Sequence, residues 1–253
     1  MHYAYIVQRR NNREKALSNR KQAEPPSKLA QSNVIQVNNI QGGSKRDFTK
    51  KVSGVKVSRR HVDMQRVNEP HPLFGGALSA VLPHSAADVS KLREIPDNQE
   101  AFVHARTDQS LIVELVEYQA HVADQDAARY HFEDIAGNNA ASQPGAQEVT
   151  GVVALHKSSL SLSACSCAWA LTGTQCVSKF NETARNRVRL HLGVFRLPQF
   201  GTDVLVTFND PQSICPDSSS SPAAVGAGVE PWTAEDFQQL LQSLTLHNPG
   251  LFG

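Results

Sequence analysis

Arg187-Val-Arg-Leu-His-Leu-Gly-Val-Phe-Arg-Leu-Pro-Gln-Phe-Gly-Thr-Asp-Val-Leu-Val-Thr-Phe-Asn209 decides the fold class. Val188, Leu190, Leu192 and Val194 alternate with Arg187, Arg189, His191 and Gly193, which is the side-chain period of a β-strand with one wet face. Pro198-Gln-Phe-Gly201 turns the chain, and Thr202–Asn209 brings it back as a second strand. The stretch is therefore an antiparallel hairpin.

Further strands lie upstream of it. Leu73–Leu82 reads as a strand in which Gly75-Gly76 marks a bulge or a close backbone approach. Glu100–Ala105 alternates as a half-buried strand, Ser110–Tyr118 puts Leu111, Val113 and Leu115 on one face as a strand, with a helix as the alternative, and Val149–Leu155 is a third run of strand character. Ala168–Phe180 reads as a second hairpin, with Thr172-Gly173-Thr174 at its turn. Helices fall between the strands. Asp88–Arg93 makes a short one with Val89 and Leu92 on one face, stopped before Pro96. Asp124–Ile135 carries Ala127, Ala128, Phe132 and Ile135 at helical spacing. Near the C terminus, Thr233 and Asp236 stand as N-cap and capping-box partner, ahead of the stripe Phe237, Leu240, Leu241, Leu244 and Leu246, and Asn248-Pro249-Gly250 closes the helix. Asn138–Gln147 and Ile214–Gly228 are loops. About seven strands with hairpin links and interspersed helices predict an α/β (α+β) domain, a largely antiparallel sheet covered by helices.

Charge divides the chain. Residues 1–70 carry 15 Lys+Arg and 5 Asp+Glu, a net of +10; residues 71–253 carry 10 and 19, a net of −9. The first block has no aromatic residue between Tyr5 and Phe48. Low hydrophobicity with high charge does not offset an ordering entropy of roughly 1–2 kcal/mol per residue. Residues 1–70 are thus expected to be a basic disordered N-terminal extension, and residues 71–253 the folded domain. No apolar run reaches the ~20 residues that span a bilayer, and Tyr3–Val7 is too short for a signal-peptide core. The chain reads as soluble and intracellular.

The chemistry-bearing motifs are sparse. There is no phosphate-loop lysine after Gly75-Gly76 and no G-x-S-x-G elbow. Cys165, Cys167, Cys176 and Cys215 lack a second chelating pair and read as free thiols rather than a zinc site. His131-Phe-Glu133-Asp134 resembles a His–carboxylate pair, but adjacent helical residues point apart. No catalytic residue, metal or cofactor is expected. Lys45-Arg46 with Lys50-Lys51 offers the basic segment a phosphate-binding or nuclear-import signal, whereas an acidic folded domain repels a polyanion. One polar cluster stands out: Asp88, Lys91, Arg93, Glu94, Pro96, Asp97, Asn98, Gln99 and Glu100. It is either a binding loop on a rigid scaffold or an ordinary turn in which Asp97 or Asn98 bonds its own backbone.

Several motifs, in order along the chain, resemble the Ran guanine-nucleotide release factor family. They are Pro72-Leu-Phe-Gly-Gly-Ala77, Asp88-Val-Ser-Lys-Leu-Arg93, Pro96-Asp-Asn-Gln-Glu100, Asp108-Gln-Ser-Leu-Ile-Val-Glu-Leu115 and Ala127-Ala-Arg-Tyr-His-Phe-Glu-Asp134. Arg196-Leu-Pro-Gln199 with Thr202-Asp203, and Ser243-Leu-Thr-Leu-His247, complete the set. The match is close enough to suggest a vertebrate-type member. It implies a PsbP-like α/β/α sandwich, with about six strands between helical layers. It also implies binding of the GTPase Ran with release of its guanine nucleotide, GTP in particular, and support of nuclear protein import. No covalent catalysis is implied. The family's acidic turn maps onto Asp97 and Glu100, with Arg93, Glu94, Asn98 and Gln99 as neighbouring Ran-binding candidates. The resemblance further implies a link to the alpha subunit of a voltage-gated sodium channel and its delivery to the cell surface. An adaptor role with Ran binding secondary is the alternative. A monomer is expected, in nucleus and cytoplasm and peripherally at the plasma membrane. Residues 1–70 have no counterpart in the family pattern, and Cys165–Phe180 is looser and richer in cysteine than that pattern.

Overall fold

The computed structural model describes residues 69–178, 185–218 and 230–253. The expectations for the basic N-terminal block and for most of Ile214–Gly228 lie outside the described residues.

The elements run β1 (His71–Leu73), β2 (Leu78–Ala80), β3 (Ala86–Asp88), β4 (Gln99–His104), β5 (Ser110–Glu117), α1 (Ala127–Asn138), β6 (Gln147–Ala154), β7 (Cys167–Ser178), β8 (Arg185–Leu197), β9 (Thr202–Ser213), α2 (Ala234–Ser243) and β10 (Thr245–Leu246). Seven strands form one sheet in the order β3-β4-β5-β9-β8-β7-β6, and β1-β2-β10 form a small second sheet. Every pairing is antiparallel. The expected α/β sandwich is present, with seven main strands rather than six. No helix among the described residues is long and apolar enough to cross a membrane.

The β8–β9 hairpin sets the frame. Pro198–Phe200 form a single 3-10 turn, and Gly201 takes φ 58°, where a residue with a Cβ would be strained. This fixes the register at Leu197↔Thr202 and Arg196↔Asp203. One face of the hairpin presents Leu190, Leu192, Val194 and Leu205 to Ala127, Ala128, Phe132 and Ile135 of α1. The other presents Phe195, Leu197, Val204, Val206 and Phe208 to Phe237, Leu240 and Leu241 of α2 and to Leu73 and Leu78 of the small sheet. The expected wet face of β8 is therefore wet only at its start. At Gly193 the side chain of Leu241 lands on the strand, 2.4 Å from where a Cβ would sit. The face closes from there.

Helix α2 begins as its sequence requires. Asp236 N–H donates to Thr233 Oγ1, and Thr233 N–H donates to the Asp236 carboxylate. Such a cap stabilises a helix by about 1 kcal/mol. The helix ends at Ser243, before the expected Asn248, because Thr245–Leu246 pair with β2 as β10.

Three local expectations are corrected. Leu73–Leu82 is not one strand with a bulge but a hairpin, β1 and β2, joined through Phe74-Gly75-Gly76 at φ 49°, 65° and 90°. Ala168–Phe180 is not a hairpin. Cys167–Ser178 runs as one strand, and Gly173 sits in its middle because the Phe132 ring and the Glu148 carbonyl would both lie 2.6 Å from a Cβ there. In the 88–93 segment only Val89–Lys91 is helical. The chain leaves that turn at Leu92, whose side chain is 76% exposed instead of sharing the buried face of Val89.

Two imidazoles give the fold an acid sensitivity. His104 is buried, and the N–H groups of Arg106 and Thr107 donate to its Nδ1 at 3.1 and 2.9 Å, so that nitrogen carries no proton. Burial, with the neighbouring His84 second, holds its pKa below the ordinary imidazole range. Burial does the same to His191, which stacks on Phe208, although Asp210 pulls the other way. Both groups are harder to protonate folded than unfolded. The unfolded chain then gains more protons as pH falls below about 6.5, and stability declines from there toward the folded-state pKa values. Melting temperature is expected to fall between about pH 6.5 and pH 5; a flat profile through that window would remove these imidazoles as a source.

Candidate functional site

The polar cluster is a shoulder tied down at both ends. Asp88 caps the short Val89–Lys91 helix by accepting from Ser90 N–H at 2.8 Å. Val89 is buried with Ala101 and Ile112, and Ile95 packs against them. Between these two anchors Lys91, Leu92, Arg93 and Glu94 stand exposed.

The turn that follows is held by five hydrogen bonds. Gln99 N–H donates to Pro96 O at 2.9 Å. Asn98 grips β5 twice: its carbonyl accepts from Leu115 N–H, and its side-chain amide donates to Leu115 O, both at 2.9 Å. Gln99 Nε2 donates to Glu114 Oε1 at 2.8 Å, in a buried position. Glu100 Oε1 accepts from Phe74 N–H at 2.6 Å. Strand alternation explains the split. Gln99 and Ala101 face the sheet side shared with Ile112 and Glu114, whereas Glu100 and Phe102 face the small sheet.

The structure thus sorts the sequence-level candidates. Asn98 and Gln99 spend their side chains on building the turn. Glu100 is half-buried with one oxygen engaged. Arg93, Glu94 and Asp97 are exposed. Among the described residues no hydrogen bond or ion pair engages the Asp97 carboxylate, so it is presented outward from a turn pinned to β5. Neither this cluster nor any other group of described residues gathers three His, Cys, Asp or Glu side chains as a metal ion would need.

A profile described as Ran-interacting Mog1 protein matches residues 71–211. The chain belongs to the Mog1 family. The zebrafish Danio rerio protein named Ran guanine nucleotide release factor is 59% identical over 182 residues, covering 72% of this chain and 98% of the relative. Its human namesake is 51% identical, with 72% and 95% covered. The Schizosaccharomyces pombe protein named nuclear import protein mog1 is 31% identical, with 71% and 98% covered. Among solved structures, the Saccharomyces cerevisiae Ran-binding protein Mog1p superposes with a TM-score of 0.54 at 22% identity, covering 74% of this chain and 98% of that one. That likeness shows the fold. The family resemblance read from the Pro72–Ala77 and Pro96–Glu100 motifs holds.

One feature of this Mog1 domain escaped the sequence reading. Arg196 is fully buried, at 0% exposure. Its Nε donates to Asp203 Oδ1 at 3.3 Å, one Nη to Asp124 Oδ1 at 2.7 Å and Val122 O at 2.8 Å, and the other Nη to Gln119 O at 2.7 Å. Its guanidinium carbon lies 4.3 Å over the Tyr118 ring. Asp203 Oδ2 lies 3.0 Å from His131 Nε2. His131 therefore meets a carboxylate from β9, across 72 residues of chain. The network straps the 118–124 segment to the end of the sheet, with every polar group buried there paired or hydrogen-bonded. A signal was available: with the Pro198–Gly201 turn placed, Arg196 and Asp203 are cross-strand partners.

Proposed function

We propose that this chain binds the small GTPase Ran and promotes release of its guanine nucleotide, GTP above all, through the Pro96–Glu100 turn. The observation that carries this reading is the exposed Asp97 carboxylate on a turn pinned to β5, in a chain 59% identical to a named Ran guanine nucleotide release factor. Asp97 pairs with a Lys or Arg of Ran in a charge-assisted contact. Arg93 and Glu94 form the rim of that contact, and Asn98, Gln99 and Glu100 support it. The net charge of −9 on residues 71–253 speeds encounter with a basic surface.

Release needs no covalent step. A GTPase holds its nucleotide through a phosphate loop, its lysine and Mg²⁺. A partner that binds the nucleotide-poor conformation better lowers nucleotide affinity by the same factor, a coupling of about 1–3 kcal/mol in typical systems. The role is one of binding, in nucleus and cytoplasm, in support of nuclear protein import, and the domain acts as a monomer.

The test is nucleotide release from Ran by the full chain and by Asp97→Ala. A desolvated charge pair loses about 2–5 kcal/mol of affinity on truncation, a rim pair far less. Asp97→Ala is expected to weaken Ran binding at least tenfold with unchanged thermal stability. Unaltered affinity in a folded variant would reject the turn as the site. Release that tracks stoichiometric addition rather than catalytic amounts would make the chain a trap for nucleotide-free Ran. The sodium-channel adaptor role is separable: in that reading, capture of the channel alpha subunit survives Asp97→Ala.

A further inference from the structure

Glu100 belongs to the acidic pair of the proposed Ran-binding turn, yet its geometry is that of a support. It is half-buried, on the side of β4 that faces the small sheet. Its Oε1 accepts the Phe74 N–H at 2.6 Å, across 26 residues of chain. That N–H opens a run of three consecutive left-handed residues, Phe74, Gly75 and Gly76, at φ 49°, 65° and 90°. A phenylalanine in that region is strained, and donation of its N–H to a carboxylate is among the stronger ways to hold it. At the far end of the turn, Ala77 N–H donates to Phe74 O at 3.2 Å, and Ala77 O accepts from both His247 and Asn248 N–H. Phe74 itself packs against the core. The outward side is bare: a Cβ placed on Gly75 or on Gly76 would meet nothing within 4 Å. The glycines are therefore required by conformation and not by crowding, and they leave a patch of backbone that a partner surface can approach closely.

We infer that the recognition surface consists of two adjacent turns, Pro96–Asn98 and Phe74–Gly76, and that Glu100 is a positioning residue that locks the second against the first rather than a charge read by the partner. This deepens, and rests on, the Ran-binding reading. Asp97 supplies the charge. Gly75 and Gly76 supply an uncrowded stretch of backbone tied to the same turn through Glu100, which fits a folded protein partner that sets a basic side chain on Asp97 and a close contact on the glycines.

Glu100→Gln and Glu100→Ala separate the two roles. Glutamine keeps a side-chain oxygen at the same reach, so it still accepts from Phe74 N–H, but it carries no charge. Alanine removes both. In Ran-binding measurements on the full chain, Glu100→Gln is expected to stay within about threefold of the native affinity, while Glu100→Ala loses about tenfold or more. Gly75→Val, which leaves Glu100 and Asp97 in place but strains the turn, is expected to lose as much as Glu100→Ala. Amide hydrogen exchange at Phe74 reads the same role without Ran: protection in the native chain and in Glu100→Gln, and its loss in Glu100→Ala. Glu100→Gln binding as weakly as Glu100→Ala, or Gly75→Val binding as well as the native chain, would overturn the inference. A native chain that does not bind Ran at all would instead sink the functional reading, and the Phe74 exchange pattern would still decide whether Glu100 positions the turn.

Discussion

Asp203→Ala is expected to lower folding stability by about 3–5 kcal/mol, the range for breaking one partner out of a buried ion pair. Both Asp203 and Arg196 are fully buried. Removing the carboxylate leaves the Arg196 guanidinium in the interior with two backbone carbonyls, Gln119 O and Val122 O, and with Asp124 as its only remaining anionic partner among the described residues. His131 loses its Asp203 partner in the same step. Urea unfolding of Asp203→Ala against the native chain measures the cost. Asp124→Ala is the control: its side chain is 52% exposed, so water can replace it, and a loss of under about 1 kcal/mol is expected. Equal costs for the two variants would mean that water reaches Arg196 once Asp203 is gone. Because Arg196 straps the 118–124 segment, amide protection there should fall in Asp203→Ala even under conditions where the sheet stays intact.

What could be read from the sequence was whatever depends on near neighbours. The β8–β9 hairpin was legible because alternation and the Pro198–Gly201 turn are local, and the start of α2 because a capping box needs only Thr233 and Asp236. The Pro96–Glu100 turn was legible as a polar turn. Its internal division was not, because the partners of Asn98, Gln99 and Glu100 lie 17, 15 and 26 residues away. Arg196 was hidden for the same reason. Its place opposite Asp203 follows from the turn, but its burial depends on His131 and on the 118–124 segment, more than 60 residues upstream. Gly75-Gly76 and Thr172-Gly173-Thr174 were read the wrong way round. The first pair makes a turn through positive φ, and the second glycine makes room within a strand. Nothing local distinguishes a glycine needed for its dihedral from one needed for its missing Cβ.

That second use of glycine leads to an equally large effect. Phe132→Ala is expected to cost about 3–5 kcal/mol, since its ring is fully buried between α1 and the sheet and its removal leaves a cavity. Gly173→Ala fails in the opposite sense. The new methyl would sit 2.6 Å from Phe132 Cζ and 2.6 Å from the Glu148 carbonyl oxygen, and overpacking of this kind costs about 1–3 kcal/mol. The two changes share one volume, so they should not add. In the Phe132→Ala background the Gly173 methyl enters the space the ring vacated, and the double variant should be more stable than the sum of the singles predicts, by about 0.5–3 kcal/mol. The penalty should not vanish, because the Glu148 carbonyl is backbone of β6, in register with Thr174 of β7, and cannot retreat as a side chain can. Gly193 offers the contrast. The three atoms nearest a Cβ there all belong to the flexible Leu241 side chain rather than to backbone, so Gly193→Ala should cost less than Gly173→Ala. A four-variant urea cycle over positions 132 and 173, with Gly193→Ala alongside, measures all of this. Strict additivity would show that the ring is not what excludes a side chain from position 173. A Gly193 variant as costly as the Gly173 one would show that α2 is held on the sheet as rigidly as β6 is.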